Sequence, residues 1–498
     1  MDAQVIVVGA GPSGLTVATE LALAGCEVLL LERREQGVQS RAGTVLPRVL
    51  ELLDYRGMAQ EFIARARQIR DNPLIQFHIW AGMQPIHWPN LRSAFGYRLI
   101  LPQNVTEELL LARAKELGVT ILQGRTVVAL EQSSGLVTVE AELPDGTRET
   151  FTSGYTVGAD GGRSAVRKLA GIPFPGHNGT FTGIIADVPI NMHWATGRAM
   201  VENEKGWAAS FPFGEGGETT RFNFVHAERR FADKNEPVTA EEVRQCLHDI
   251  FERDIEFDEL VWASRFTDAM RLAENFRTGR VFLVGESARI HYPASGVGMN
   301  FCIQDAFNLG WKLALVVNGA ATESILDSYQ SERLPVAKEL LESVRAQCAV
   351  QFDFSKEGIS FKRMFSRDIL PLPDVNRAIG LQLNGLTNAY ETTAAEHPLL
   401  GRPVPEATLQ TRDGLVRIAE LLATGRFVLL DLTGDGVFAP LASDRVAVTA
   451  GVVSGSRPDF SGVKALLVRP DGYVHWVSTD ASPSATEAQE AISDWLVA

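Results

Sequence analysis

The stretch Val5-Ile6-Val7-Val8-Gly9-Ala10-Gly11-Pro12-Ser13-Gly14, followed by an apolar helical pattern and then Leu29-Leu30-Leu31-Glu32-Arg33, constrains this chain more than any other. It predicts a strand, a glycine turn, a helix and a second strand, the unit that holds a dinucleotide. Gly9 permits the tight turn at the strand end. Gly11 removes the side chain that would keep a pyrophosphate from the amides at the helix start, and Gly14 lets the helix pack close on the strand. Glu32 ends the second strand, where a carboxylate accepts both ribose hydroxyls of an adenosine and disfavours a 2′-phosphate. The expected nucleotide is therefore FAD or NAD rather than NADP.

A chain of 498 residues is long enough for two to four domains with large cores. A net charge of −14 argues against nucleic acid or an anionic membrane surface as the main partner. The sequence has no apolar run of the length a membrane span needs. Its apolar beginning lacks a basic start and runs directly into the glycine turn, so it reads as a strand rather than a signal peptide, and the expected location is cytoplasmic. The four cysteines, Cys26, Cys246, Cys302 and Cys348, are scattered without a CxxC pair, and read as buried reduced thiols rather than a disulfide framework or a zinc site.

Two further strand-to-glycine junctions follow. Tyr155-Thr156-Val157-Gly158-Ala159-Asp160-Gly161-Gly162-Arg163-Ser164 delivers Asp160 to a turn before a helix, where it serves either a nucleotide or simply the helix cap. Val281-Phe282-Leu283-Val284-Gly285-Glu286 ends another strand in an acid. The loop His291 to Gly298 then leads into a helix running through Trp311 and Lys312, a second nucleotide-contact geometry. Arg41 lies in a loop just outside the nucleotide fold, where a cation reaches a phosphate or the edge of a flavin, or is only solvated. Between these sites, Phe77 to Tyr97 reads as short inserted strands, and Pro173 to Val261 as a mostly antiparallel sheet carrying one helix, Ala240 to Phe251. Residues 323–350 read as a long helical region interrupted at Pro335, and the region from His397 onward as a small α/β unit without cysteine.

Together these motifs resemble the single-component flavoprotein aromatic hydroxylases, the family typified by para-hydroxybenzoate hydroxylase, and within it the polyketide-tailoring branch acting on angucyclines and anthracyclines. The carriers are GAGPSG with Glu32-Arg33, Ser40-Arg41, Leu101-Pro102-Gln103, Gly158 to Ser164, Gly285 to Ala288, and Pro293 to Asn300. Asp305 to Leu313 and Ser328 to Arg333 also match. The resemblance implies an α/β fold: a Rossmann-like FAD-binding domain (1–75, 99–175 and 275–345), an inserted antiparallel-sheet substrate domain (76–98 and 176–274), a helical connection (346–395), and a C-terminal thioredoxin-like domain lacking cysteines (396–498). It implies that Gly9, Gly11, Pro12, Ser13, Gly14, Glu32 and Arg33 hold the ADP half of FAD. Arg41, Gln103, Asp160, Gly161 and Glu286 would also contact the cofactor, and Pro293, Gly296, Gly298, Met299 and Asn300 would line the flavin ring. Three positions depart from the family pattern: Glu286 stands for the usual Asp, Val297 for Gln within Gly-Gln-Gly, and Arg289 for a common His.

The implied reaction is hydroxylation of a polycyclic phenol or quinone with NAD(P)H and O2 through a C4a-hydroperoxyflavin. With one complete dinucleotide motif, the reduced nicotinamide is a transient visitor rather than a resident. Candidate substrate-pocket residues are Phe77, Trp80, Trp88, Tyr97, Trp207, Phe211, Phe213, Phe222 and Phe224, with Pro293 and Val297 beside the ring and His78 or His226 as titrating partners. The alternatives are ring-opening oxygen insertion or quinone/hydroquinone oxidation on the same flavin, and an NAD-dependent dehydrogenase. The expected partner is a small aromatic molecule, and the chain is expected to act as a monomer or homodimer.

Overall fold

A computed structural model describes the chain except residues 36–41, 92, 191–198, 214–218, 392–396 and 498. Its largest sheet has eight strands. The main path runs from Arg277–Thr278 through Val281–Leu283, Arg148–Gly158, Ala3–Val8 and Val28–Glu32 to Thr120–Gln123. Four of the pairings along it are parallel; Ala3–Val8, Val28–Glu32 and Val281–Leu283 are buried, mostly apolar runs, as is the end of Arg148–Gly158, while Thr120–Gln123 at the edge is exposed at both ends. Register decides what these strands present. Val8 pairs with Gly158 and Gly158 with Leu283, so three strands end level with one another. The turns after Val8, Gly158 and Leu283 therefore emerge side by side at the carboxyl edge, where open α/β sheets bind ligands.

A second sheet is wholly antiparallel, in the order Ala199–Asn203, Gly206–Phe213, Thr219–His226, Thr182–Val188 and Trp262–Thr267. One face carries Ile184, Ala186, Ala208, Phe222 and Phe224, and buries them under Val243, Cys246, Leu247 and Ile250 of the helix Ala240–Phe251. The opposite face carries Trp207, Ala209 and Val225, which pack on Met83, Tyr292 and Phe352 outside the sheet.

The expected interruption at Pro335 does not occur: one helix runs Asp327–Gln351 straight through it. Proline removes one backbone hydrogen bond. Burial of Tyr329, Arg333, Val336, Ala337 and Leu340 along the helix outweighs that loss. Residues 351–395 contain the helices Lys356–Met364 and Pro373–Asn384. The C-terminal region forms a six-stranded mixed sheet in which Phe427–Asp431 and Val446–Val453 are parallel and the other pairs antiparallel. A buried ionic cluster joins this sheet to the first domain. Glu332 meets Arg469 at 2.6 Å and Lys312 at 2.7 Å, and Arg469 also meets Asp471 at 2.6 Å.

Candidate functional site

The three glycines of the first turn do different work. Gly9 has φ +106°, and a Cβ there would lie 2.5 Å from the Ala159 carbonyl oxygen. A Cβ on Gly14 would land on the Gly9 carbonyl oxygen, so this glycine allows the helix Pro12–Leu23 to sit against the turn. A Cβ on Gly11 would meet nothing within 4 Å. That open space lies before a helix whose N-terminus has no side-chain cap, so its first amides are available to an anion. Gly285 has φ +65°, and a side chain there would strike Ser13 Oγ and Cys302, so the first and third turns touch.

Glu32 is buried, and its carboxylate accepts from Ala10 N at 2.6 Å and Arg34 Nε at 2.7 Å. Burial pushes its pKa up, but these hydrogen bonds prevail and hold it below the ordinary carboxylate value. It therefore stays an anion; Ala10 N and three donors of Arg34 occupy both of its oxygens, so ribose hydroxyls would bind by displacing some of these donors. Arg33, the expected neighbour, is exposed, and Arg34 is the arginine that turns back onto the acid. Gln103 opens the helix Gln103–Glu116; its Oε1 accepts from Ala42 N at 3.3 Å and its Nε2 donates to Glu107 at 2.8 Å. Arg41 and Ser40 lie outside the described residues.

Asp160 caps the next helix. Its Oδ1 accepts from Ser164 Oγ at 2.5 Å, and its Oδ2 accepts from Ala165 N at 2.6 Å and Val166 N at 3.1 Å. Of the two expectations for this residue, the cap is what the geometry displays, and the carboxylate shapes the turn from within. Gly161, at φ +79°, has nothing within 4 Å of an added Cβ, so the second turn is also open. Glu286 sits exposed at the third turn.

The loop from Pro293 to Gly298 is held from behind. Ser295 adopts φ +50°, a left-handed conformation costly for a residue other than glycine. Its carbonyl accepts from His78 Nε2 at 2.5 Å, and its hydroxyl is 2.7 Å from Gln347 Oε1 and 2.9 Å from the Ile79 carbonyl. Asn300, expected at the ring, instead ties backbone together. It accepts from Leu46 N at 2.7 Å, and donates to the Thr44 carbonyl at 3.0 Å and the Gly296 carbonyl at 3.2 Å. Pro293 and Gly296 are exposed, Gly298 and Met299 partly so. Val297, expected beside the ring, is corrected: it is 1% exposed and faces Phe301, Val336 and Leu340 behind the loop. Neither Ser295, Gln347 nor His78 has a local sequence signal for this role, because their partners are 52 to 266 positions away.

Strand alternation sorts the aromatic candidates. Phe222 and Phe224 belong to the core under the helix Ala240–Phe251, and His226 is engaged there with Asp249 at 3.1 Å. Burial pushes the His226 pKa down. These three are therefore corrected to structural residues. Phe211 and Phe213 point to the other face together with Trp207. Phe211 lies opposite Arg221 in the register, and the Phe213 ring centroid is 3.5 Å from the Arg221 guanidinium carbon. Arg221 pairs with Asp187 at 2.6 and 2.7 Å, so this wall combines aromatic surface with a buried ion pair. Trp88 is core and His78 braces the loop. Trp80 packs 5.7 Å from Phe365. Tyr97 is also corrected: with Phe95 it lines a separate cavity of about 490 Å³ shared with Glu406, Arg417 and Arg457 of the C-terminal region.

The open cradles at Gly11 and Gly161, the uncapped helix start and the ionised Glu32 fit an FAD laid across the three strand ends. Among the described residues no group of three His, Cys, Asp or Glu side chains could hold a metal ion, and no helix is long and apolar enough to cross a membrane.

Comparison with known proteins agrees with this geometry. Residues 2–344 match the family model described as FAD binding domain, and residues 397–498 that described as aromatic-ring hydroxylase, C-terminal. The 12-dehydrotetracycline 5-monooxygenase/anhydrotetracycline 6-monooxygenase of Streptomyces rimosus is 38% identical over 514 residues, covering 100% of this chain and 99% of that protein. The solved structure of OxyS anhydrotetracycline hydroxylase from Streptomyces rimosus is similar with a TM-score of 0.88 at 37% identity, over 100% of this chain and 99% of that one. CabE, an aromatic hydroxylase from angucycline biosynthesis, is similar with a TM-score of 0.87 at 36% identity, over 99% of each chain.

Proposed function

Because the chain belongs to the FAD-dependent aromatic-ring hydroxylases, a family of monooxygenases, we propose that it uses NAD(P)H and O2 to hydroxylate a polycyclic, polyketide-type phenol or quinone. The observation that carries this reading is the level ending of three parallel strands, with open glycine turns at two of them, together with a sheet face bearing Trp207, Phe211 and Phe213 that packs on Tyr292 of the loop after the third strand. The relatives that act on tetracycline intermediates or belong to angucycline biosynthesis support the substrate class. The dehydrogenase alternative falls with the family assignment.

Bound FAD would supply the redox chemistry, taking electrons from the reduced nicotinamide and passing them to O2. The chain orients and shields. Amides at the start of Pro12–Leu23 would receive the pyrophosphate where Gly11 leaves room, and Glu32 would accept the ribose hydroxyls in exchange for some of its present donors. Amides at the start of the helix Gly298–Val317, which has no side-chain cap, would favour negative charge on a flavin bound there. The loop residues Pro293 and Gly296 would line the ring, in a loop held by His78, Gln347 and Asn300. Phe211 and Phe213, partly exposed on this face, would provide the apolar wall against which a flat polycyclic substrate packs and from which water is excluded, with buried Trp207 supporting the same face. A phenol is activated by its own hydroxyl, so no nucleophile or titrating side chain is needed in this wall. The enzyme works as a monomer or homodimer in the cytoplasm, where reduced nicotinamide is supplied.

The test is turnover of polycyclic phenols and quinones with NAD(P)H under isotopically labelled O2. A product heavier by one labelled oxygen is expected. A product without label, formed with NAD(P)H consumption, would assign quinone redox chemistry instead.

A further inference from the structure

Arg289 and Arg333 converge on one carboxylate. Arg289 Nη1 reaches Asp305 Oδ2, and Arg333 Nε reaches Asp305 Oδ1 at 2.7 Å, with all three side chains no more than 1% exposed. Two buried cations therefore share one anion. The other bond of Arg333 goes to the Tyr390 hydroxyl at 2.9 Å, a neutral group. The neighbouring buried cluster balances itself, two acids (Glu332 and Asp471) against two bases (Lys312 and Arg469). On Arg289 both Nε and Nη2 are buried without a hydrogen-bond partner. A buried guanidinium with unmet donors and no full counter-charge is costly to hold.

We infer that Arg289 is a tuning charge: it stands behind the start of the helix Gly298–Val317 and favours the negative charge that FAD takes up on reduction. The inference rests on the family reading above. Asp305, its partner, is on that helix, and the helix rise puts Asp305 only about 10 Å from the Gly298 end. The His291 ring lies beside the helix start, close enough that a Cβ on Gly298 would lie 3.5 Å from it. Burial pushes the His291 pKa down to about 4, and the charge on Arg289 acts in the same direction, so the field of the guanidinium reaches the residue that touches the helix start. Arg289 is itself too enclosed for contact with a cofactor, and acts through space. A unit charge at about 10 Å, in an environment of effective dielectric near 20, shifts a charge-forming equilibrium on the order of tenfold. The helix dipole adds to it with the same sign.

The experiment is the two-electron midpoint potential of bound FAD in the full-length protein, together with thermal unfolding of the apoprotein. Arg289→Met leaves Asp305 paired with Arg333, so the fold is expected to be retained and the apoprotein to be at least as stable. Its midpoint potential is expected to fall by about 30 mV, the equivalent of a tenfold change for a two-electron couple. Arg289→Gln, which can still donate to Asp305, is expected to fall equally, and it replaces the Met variant if that protein misfolds. Arg289→Lys keeps the charge and is expected to stay near wild type. An unchanged potential in both the Met and Gln variants, or a Lys variant that falls as far as they do, would overturn the inference. Wild-type protein unable to take up FAD would overturn the reading of the site itself.

Discussion

His78 Nε2 donates to the carbonyl oxygen of Ser295 at 2.5 Å, joining the Phe77–Trp80 strand to the loop that precedes the helix Gly298–Val317. The bond grips the loop at its one strained residue, Ser295, whose φ is +50°. The neighbouring turn at Ala81 is tied in through Gln347, which accepts from both Ala81 N and Ser295 Oγ. A hairpin far away in sequence thereby sets the height of the loop beside the strand ends.

Removing that grip should weaken cofactor binding more than it weakens the fold. His78→Ala breaks one buried hydrogen bond, a loss of about 1–3 kcal/mol. We expect FAD affinity, read by fluorescence titration of the apoprotein, to drop on the order of tenfold, with uncoupled peroxide release rising. His78→Asn, which can still donate, should recover part of it. Wild-type affinity in the Ala variant would show that the loop holds its position without the histidine.

The first turn separates binding from folding. Gly11 has φ −76°, acceptable to alanine, and open space where a Cβ would go. Gly11→Ala should leave the unfolding temperature of the apoprotein within a few degrees and abolish FAD uptake, because the methyl group occupies the pyrophosphate position. Gly14→Ala, whose Cβ would strike the Gly9 carbonyl oxygen, should instead destabilise the apoprotein itself. Normal FAD uptake by Gly11→Ala would refute this division of roles.

Acid stability should depend on Glu332. Burial pushes its pKa up, but Arg469 and Lys312 overcome that and bring it from 4.5 to about 2. The folded state thus binds fewer protons than the unfolded one in this range. The contribution is complete above the unfolded value, and is lost as pH falls through the window between 4.5 and about 2. Glu332→Gln should flatten the acid limb of a denaturant-derived stability curve in that window. It should also cost about 3–5 kcal/mol at neutral pH by leaving buried cations unpaired. An acid limb as steep as that of wild type would place the acid sensitivity elsewhere.

Alternation on the second sheet predicts opposite phenotypes for two phenylalanines on neighbouring strands that face opposite sides. Phe222→Ala empties the core under the helix Ala240–Phe251, and should cost about 3–5 kcal/mol of stability with little change in KM for protein that remains folded. Phe211→Ala lies on the opposite face and should raise substrate KM roughly tenfold, the effect of about 1.5 kcal/mol of lost apolar burial, while leaving stability nearly unchanged. Reversed phenotypes would mean that the substrate approaches from the helix side.

Much of the site was legible because its signals are local. A strand, a glycine turn and a helix span a dozen residues, so Gly9, Gly11 and Gly14 are read in order, and the structure shows a Cβ excluded at Gly9 and Gly14 and unopposed at Gly11. Asp160 was readable in two ways, and the cap it forms lies within six residues of it. The aromatic wall was less legible, since Phe211, Phe213, Phe222 and Phe224 are equally apolar and two-residue alternation leaves open which face meets the rest of the protein. Pro335 misled for a related reason: its local penalty is visible in sequence, whereas the buried face that offsets it is not.

By itself, then, the sequence determined the glycine turns, the acid at the end of the second strand and the alternating strands, because each depends on residues a few positions apart and on backbone sterics. Only the tertiary structure decided that Arg34 rather than Arg33 turns onto Glu32, that Val297 faces the core, that His78 holds Ser295, and that Arg289 and Arg333 share Asp305. Hydrogen bonds across 217 positions and a charge balance summed over three separate elements depend on which surfaces meet in the folded chain, and no local pattern encodes that.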